Sequence, residues 1–309
     1  MQKERKKVGR LAPTPSGRLH LGNVYAFAAA WLSVRQMDGR LLLRMEDVDH
    51  QRARPAYADA IRRELDWLGL PWDEEVTAQS ERRYEPVLEA LQAHTYYCSC
   101  TRRMLRPYGG LYPGWCRNRK LQQGALRFRL DDHQRIGFHD GVFGFQEQQP
   151  AQTQGDPVLR RRDGLYTYHL AVVADDIADG VTEVVRGADL LNDTGLQVAL
   201  WRALGQTTPQ WRHTPLVVGP DRRKWSKSQH TLHLDALQAA GWRAADVCRT
   251  VLPWLGLPPF DHWEDALPMF AWTNIPRAAI RMKDDPILAP HPKDGLAWRF
   301  EMLHPFAPS

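Results

Sequence analysis

Residues 8 to 47, VGRLAPTPSGRLHLGNVYAFAAAWLSVRQMDGRLLLRMED, decide the fold class. Val8 to Pro13 read as a short strand running into a loop, because Pro13 and Pro15 stop regular structure and Ser16-Gly17 mark a turn. From Val24 to Gln36 the run is rich in helix formers, and Asp38-Gly39 ends it. Ala26, Ala28, Ala29 and Ala30 give this helix small side chains for close packing on a sheet. The continuous apolar centre of residues 40 to 47 then suits a buried parallel strand. The unit is strand, loop, helix, strand.

Outward from this unit, a helix is expected over Pro55 to Leu68, with Pro in its first turn and Tyr57, Ile61, Leu65 and Leu68 on one face. Another spans about Arg82 to His94. Between Tyr96 and Asp163 the cysteines cluster, Gly, Gln and Pro are frequent, and ALRFRL (125 to 130) alternates like a half-exposed strand, which marks an inserted subdomain. The strand and helix rhythm returns with residues 166 to 176, 181 to 187, a helix over 190 to 204 and a strand over 213 to 219. Such alternation predicts an α/β fold with a doubly wound parallel sheet. The expected divisions are 1–80 and 166–220 as the two halves of the α/β domain, 81–165 as the insertion, and 221–309 as a polar basic loop followed by a small, mostly helical domain.

Composition sets the limits. In 309 residues, 43% hydrophobic and 25% charged, disorder and fibrous architectures are excluded, and about two domains with their own cores are expected. Four cysteines are too few for a secreted disulfide framework. The basic first ten residues lead into LAPTPSGR rather than an apolar run, and no stretch is long and apolar enough to span a membrane, so a cytoplasmic protein is expected. The net charge of +5 is compatible with a polyanionic partner and by itself locates none.

Three loops carry candidate chemistry. In APTPSGRLHLGN, His20, Gly22 and Asn23 stand at a helix N-terminus, where backbone N–H groups and the helix dipole favour phosphate. The plain alternative is a turn with a capping Asn. In Lys224-Trp225-Ser226-Lys227-Ser228, two lysines flanked by serines could follow the charge of a triphosphate, the alternative being a solvated basic loop. Cys98, Cys100 and Cys116 offer thiolates to zinc, or are free buried thiols, while Cys248 on an apolar helix face reads as a core thiol.

Together the first two patterns are far more specific than either alone. The chain resembles a class I aminoacyl-tRNA synthetase, with His20-Leu21-Gly22-Asn23 in the place of His-Ile-Gly-His and Lys224 to Ser228 in that of Lys-Met-Ser-Lys-Ser. GRLAPTPSGRLHLGN, RMEDVD and LYTYHLAVVADDIADGVTEVVRGADLL narrow the resemblance to the glutamyl branch. It implies a Rossmann-like catalytic domain that activates L-glutamate with ATP and Mg²⁺. It implies that His20, Gly22, Asn23, Lys224, Ser226, Lys227 and Ser228 bind ATP, with His20, Asn23 and Lys227 catalytic. Glutamate would be bound by Arg10, Ala12, Thr14, Glu46, Tyr168 and Arg186: the arginines on carboxylates, Glu46 at the α-amino group, Tyr168 donating. Which arginine holds which carboxylate stays open. A strand-end salt bridge for Glu46 and Asp47, and a core role for Tyr168, are the alternatives. Thr14, Asn23 and Trp225 depart from the usual Ser, His and Met or Leu without removing a charge.

YYCSCTRR and GGLYPGWCR resemble the shortened glutamyl enzymes that act on queuosine in tRNA(Asp), whose zinc ligands run Cys-x-Cys, Tyr, Cys. The resemblance implies structural zinc on Cys98, Cys100, Tyr112 and Cys116, with His94 as the other candidate for the fourth place. The 81 residues after Ser228 (309 minus 228) leave too little chain for the usual anticodon-binding domain. A monomer acting on ATP, L-glutamate and queuosine-bearing tRNA(Asp) is therefore expected. The alternatives are a short synthetase charging a tRNA 3' end and a non-catalytic synthetase-like protein that binds RNA or a ligand.

Overall fold

In the computed structural model, residues 6–219, 233–282 and 300–302 are described. The opening unit is β1 (Val8–Leu11), α1 (Leu21–Arg35) and β2 (Arg40–Leu43), followed by α2 (Pro55–Leu68) and β3 (Glu74–Glu75). β1, β2 and β3 pair in parallel, with Arg10 opposite Leu42. Twelve of the fifteen residues of α1 are buried, so the helix has no solvent face and is a core element packed on all sides. Gly9 permits its close approach: a Cβ there would stand 2.5 Å from Val34 Cγ2. On α2, Ile61, Leu65 and Leu68 are buried as the spacing predicts, but Tyr57 in the first turn is exposed.

α3 (Glu85–Ala90) is shorter than the expected 82-to-94 helix, which gives way to a 3-10 turn over Gln92–His94. The chain then enters a three-stranded antiparallel sheet of β4 (Thr95–Cys98), β5 (Ala125–Phe128) and β8 (Val158–Arg160), β5 in the middle. Between β4 and β5 lies α4 (Arg102–Leu105) with the cysteine loop. Between β5 and β8 the chain leaves this small sheet. β6 (Ile136–Asp140) pairs in parallel with β10 (Gln210–Thr214), β7 (Gly144–Gln148) adds antiparallel to β6, and α5 (Pro150–Thr153) returns to β8. Residues 136–148, which the sequence assigns to the insertion, thus belong to the sheet of the second half.

That half continues with α6 (Tyr168–Ala178), β9 (Glu183–Gly187) and α7 (Thr194–Ala203); β9 and β10 are parallel over five residue pairs. The two sheets, β3-β2-β1 and β9-β10-β6-β7, meet where β1 lies beside β9, through the Thr182 N–H on the Val8 carbonyl and the Val8 N–H on the Thr182 hydroxyl, both 2.9 Å. Strand order reverses at this junction, the place where open parallel sheets leave a crevice at the carboxyl ends of their strands.

β11 (Val217–Val218), β12 (Ile280–Met282) and β13 (Phe300–Met302) form a fourth, three-stranded sheet, and α8 (Leu234–Ala239) and α9 (Ala244–Val251) precede a series of 3-10 turns. The described C-terminal segment does not have a core of its own: Val247, Val251, Leu252 and Trp254 share one hydrophobic cluster with α1 and α2, and the Tyr25 hydroxyl donates to the Trp254 carbonyl at 2.9 Å. Cys248 is 1% exposed in that cluster, the core thiol its helix face implied. Among the described residues no helix is long and apolar enough to cross a membrane.

Candidate active site and metal centre

Four of the expected glutamate residues come from separate elements to the β1/β9 junction: Arg10 on β1, Glu46 just beyond β2, Tyr168 as the first residue of α6 and Arg186 on β9. The loop after β1 is held against the segment after β2 by the Arg44 N–H on the Leu11 carbonyl and the Glu46 N–H on the Pro13 carbonyl, each 2.9 Å. Ala12 in that loop is half-buried, whereas Thr14 is exposed.

Beneath the site runs a buried charge network that the sequence did not announce. Asp176 Oδ1 accepts from Arg10 Nε at 3.2 Å and from Arg44 Nη2 at 2.6 Å, and Arg44 Nη1 donates to Asp179 at 2.9 Å. Arg44 is fully buried, and its Nη2 also reaches Glu46 Oε1 at 3.2 Å. Burial, the largest influence on Asp176, would raise its carboxyl, but Arg10 and Arg44 together outweigh it and hold it below the usual range. Glu46 has the opposite balance: burial raises its carboxyl despite Arg44 and Arg10. It is a buried acid with less cationic compensation than its anion needs.

Arg186 mirrors this. It is 7% exposed, and its hydrogen-bond acceptors are His213 Nε2 at 3.0 Å, Gln197 Oε1 at 2.7 Å, Thr194 Oγ1 at 3.0 Å and the Leu190 carbonyl at 3.4 Å. Its guanidinium carbon also stands 5.2 Å from the Trp211 ring centre. All of these partners are uncharged. Among the described residues no carboxylate lies within ion-pair distance of Arg186, so a buried cation is dressed in dipoles and lacks an anion in direct contact. Tyr168 senses both groups. Burial pushes its hydroxyl up to about 12, with Arg186 and Arg10 acting to lower it and Glu46 and Asp176 to raise it. A ligand carrying both an ammonium and a carboxylate would satisfy Glu46 and Arg186 together.

The His20 loop adjoins α1. His20 is the N-cap: its Nδ1 accepts the Asn23 N–H at 3.2 Å, and Asn23 Oδ1 accepts the His20 N–H at 3.1 Å. Asn23 is thus the third residue of a reciprocal cap rather than the cap itself. Because Nδ1 accepts, the His20 ring proton is on Nε2, which suits donation to a phosphate. Gly22 serves this arrangement locally, since a Cβ would lie 3.0 Å from the His20 ring. Lys224, Trp225, Ser226, Lys227 and Ser228 lie outside the described residues; His233, the first described residue after them, forms an antiparallel bridge with His20, and the Leu234 N–H donates to the Leu19 carbonyl at 2.9 Å.

The cysteine loop closes on itself. The sulfurs of Cys98, Cys100 and Cys116 lie within 4.8 Å of one another, and Cys100 and Cys116 are 3.6 Å apart, spacings that one tetrahedral ion with ~2.3 Å bonds to sulfur would bridge. Tyr112, 5% exposed, directs its hydroxyl into the group: it accepts the Cys116 N–H at 2.7 Å and contacts the Cys98 and Cys116 thiols. His94 is exposed, packs near Phe128 and is not a member of the group, which removes it as the other candidate. Burial raises both Cys100 and Cys116. At Cys116, hydrogen bonds from the Ser99 backbone and Tyr112 outweigh it and bring the thiol down to about 6, while the neighbouring thiols help push Cys100 up to about 12. If all three were ionised, thiolates this close would need a cation between them, and the donor set is compatible with zinc. Asp156, 1% exposed and missed in the sequence, anchors the loop: it accepts from Arg117 Nε at 2.6 Å, Arg117 Nη2 at 2.7 Å and the Leu130 N–H at 2.9 Å.

Comparison with known proteins identifies the family. The pattern of the family described as tRNA synthetases class I (E and Q), catalytic domain, matches residues 7–109 and 116–257. A protein of Nitratidesulfovibrio vulgaris named glutamyl-Q tRNA(Asp) synthetase is 43% identical over 282 residues, covering 81% of this chain and 87% of its own. One of the same name from Ectopseudomonas mendocina is 42% identical over 293 residues, covering 91% and 97%. The solved glutamate-tRNA synthetase of Elizabethkingia anophelis superposes with a TM-score of 0.80 at 24% identity, over 92% of this chain and 69% of that one, a likeness of fold. The chain belongs to the class I tRNA synthetases of the glutamyl and glutaminyl type, and within them to the family of the glutamyl-Q tRNA(Asp) synthetases.

Proposed function

We propose that this protein activates L-glutamate with ATP and transfers the glutamyl group to queuosine in the anticodon loop of tRNA(Asp). The single observation that carries the substrate class is the pair of opposite charge deficits, buried Glu46 short of a cation and buried Arg186 short of an anion, with Tyr168 under the influence of both. The names of the relatives support the acceptor. In the first step the glutamate α-carboxylate attacks the α-phosphorus and pyrophosphate leaves; in the second, queuosine attacks the acyl carbon and AMP leaves. Catalysis consists of positioning and charge stabilisation. Glu46 receives the ammonium, Tyr168 donates to the substrate, Arg186 takes a carboxylate, and Ala12 and Thr14 line the approach.

Arg10, tied through Nε to Asp176 and through Nη1 to the Val185 carbonyl, offers its remaining N–H groups to the second carboxylate. His20, Gly22 and Asn23, with Lys224, Ser226, Lys227 and Ser228, hold the phosphates, accompanied by Mg²⁺. Zinc on Cys98, Cys100, Tyr112 and Cys116 is structural, since four protein ligands leave no open position. The enzyme acts as a cytoplasmic monomer on this reading. The test is ATP-pyrophosphate exchange with glutamate and no tRNA, then labelled glutamate with queuosine-bearing tRNA(Asp). Label recovered on the modified nucleoside upholds the assignment. Label on the 3' terminus points to a short glutamyl-tRNA synthetase, and no exchange from folded protein to a non-catalytic binding protein.

A further inference from the structure

Behind Arg186 stand His213 and Asp140. His213 lies directly opposite Arg186 in the β9/β10 register, and Asp140 ends β6 on the far side of β10, opposite Trp211. Their side chains are fully buried and form a line. Arg186 Nε is 3.0 Å from His213 Nε2, and His213 Nδ1 is 2.6 Å from Asp140 Oδ2. The guanidinium Nε carries a hydrogen and only donates, so Nε2 of His213 is the acceptor and its ring proton is on Nδ1, facing Asp140. Asp140 is itself fixed, because its other oxygen accepts the N–H groups of Val142 and Phe143, each at 2.9 Å.

We propose that Asp140 and His213 are positioning residues for glutamate recognition: Asp140 sets the imidazole tautomer, and the Nε2 lone pair aims Arg186 at the substrate carboxylate. This rests on the reading of Arg186 given above. The imidazole has a further consequence. A carboxylate in direct contact with Arg186 would compete with the substrate for it; one set back behind a neutral ring orients the guanidinium and leaves its charge for the ligand. The neutrality of the ring is consistent with its surroundings. Burial draws its pKa down to about 4, Arg186 acts in the same direction, and Asp140 and Asp189 oppose.

The decisive variant is Asp140→Asn. The Val142 and Phe143 N–H groups hold the amide oxygen in the Oδ1 position, which places the amide nitrogen opposite His213 Nδ1 as a donor. The ring proton must then move to Nε2, where it meets the Arg186 Nε–H. Nitrogen-15 spectra of histidine-labelled protein, with the His213 signal identified by its loss in His213→Gln, should give Nδ1–H in the wild type and Nε2–H in Asp140→Asn. In glutamate-dependent exchange the variant should raise the KM for glutamate roughly 10- to 100-fold, the scale of one charge-assisted hydrogen bond, with the KM for ATP unchanged.

If Asp140→Asn does not fold, His213→Leu should raise the glutamate KM and His213→Gln, which can donate to Asp140 and accept from Arg186, should largely restore it. A wild-type proton on Nε2, or an Asp140→Asn enzyme that switches tautomer with an unchanged glutamate KM, overturns the proposal alone. A folded wild type with no glutamate-dependent exchange removes the reading of Arg186 and this inference with it.

Discussion

Replacing Glu46 by Gln should separate binding from folding, because the two effects have opposite signs. Glu46 is buried, and its carboxyl is raised by that burial despite Arg44 and Arg10. A raised acid pKa means that ionisation is disfavoured in the folded state, so the charge subtracts stability at pH above the folded pKa and ceases to do so as pH falls through it. Gln keeps the shape and removes the charge. Arg44 keeps Asp176 at 2.6 Å and Asp179 at 2.9 Å, so no guanidinium is left without a carboxylate. Glu46→Gln should therefore melt at or above the wild-type temperature at pH 8, and the difference should shrink towards zero in acid, where Glu46 of the wild type is protonated in the folded and the unfolded state alike.

Glutamate binding should move the other way. Losing one charged contact with the substrate ammonium costs about 1.5–3 kcal/mol, or about 10- to 150-fold in the KM for glutamate, with ATP affected little. The assays are thermal unfolding followed by circular dichroism at several pH values, and ATP-pyrophosphate exchange at varied glutamate. A variant that melts well below the wild type at pH 8 while its KM for glutamate is unchanged would refute the reasoning, since Glu46 would then be a structural ion-pair partner.

Asp176→Asn should do the reverse to the fold: it leaves Arg10 with the Val185 carbonyl at 3.1 Å and weakens Arg44, a loss of about 3–5 kcal/mol measurable in urea. Since Asp176 is held below its usual range, the stability it supplies is present above the unfolded pKa and is lost as pH falls through the folded one, so the urea midpoints of wild type and variant should converge in strong acid. Tyr112→Phe should lower zinc affinity in competition with a chromophoric chelator and His94→Ala should not; equal affinities in all three proteins would remove Tyr112 from the ligand set. Gly22→Ala should displace the His20 ring, 3.0 Å from the new Cβ, and raise the KM for ATP while leaving glutamate binding measured by calorimetry in place.

Much of the scaffold of this site was legible in the chain. The Val8–Leu11 strand, the helix that follows His20 and the Arg40–Leu43 strand have local causes: prolines that stop a strand, small helix formers and a short apolar run. α2 runs from Pro55 to Leu68 as its spacing dictates, while Tyr57, in its first turn, is exposed because the core covers only the later turns of that face. The start of α1 at Leu21 instead of Val24 follows from His20 acting as the cap, a reciprocal pair of side chain to backbone bonds with Asn23 that composition does not reveal. The departure of residues 136–148 from the insertion has a nonlocal cause, the partner strand β10 some seventy residues later.

By itself the sequence determined which groups are present and on which local element each rides: an imidazole at a helix start, a glutamate after a buried strand, three thiols within nineteen residues. Only the tertiary structure decided what those groups are worth, because charge is balanced through space. Arg44 meets Asp176 across 132 residues, Arg10 meets the same carboxylate across 166, and His213 reaches Asp140 across 73. In a low-dielectric interior, partners a few ångströms away fix whether a buried group is satisfied or left wanting a ligand, and those distances arise only when β1 meets β9 and β6 pairs with β10.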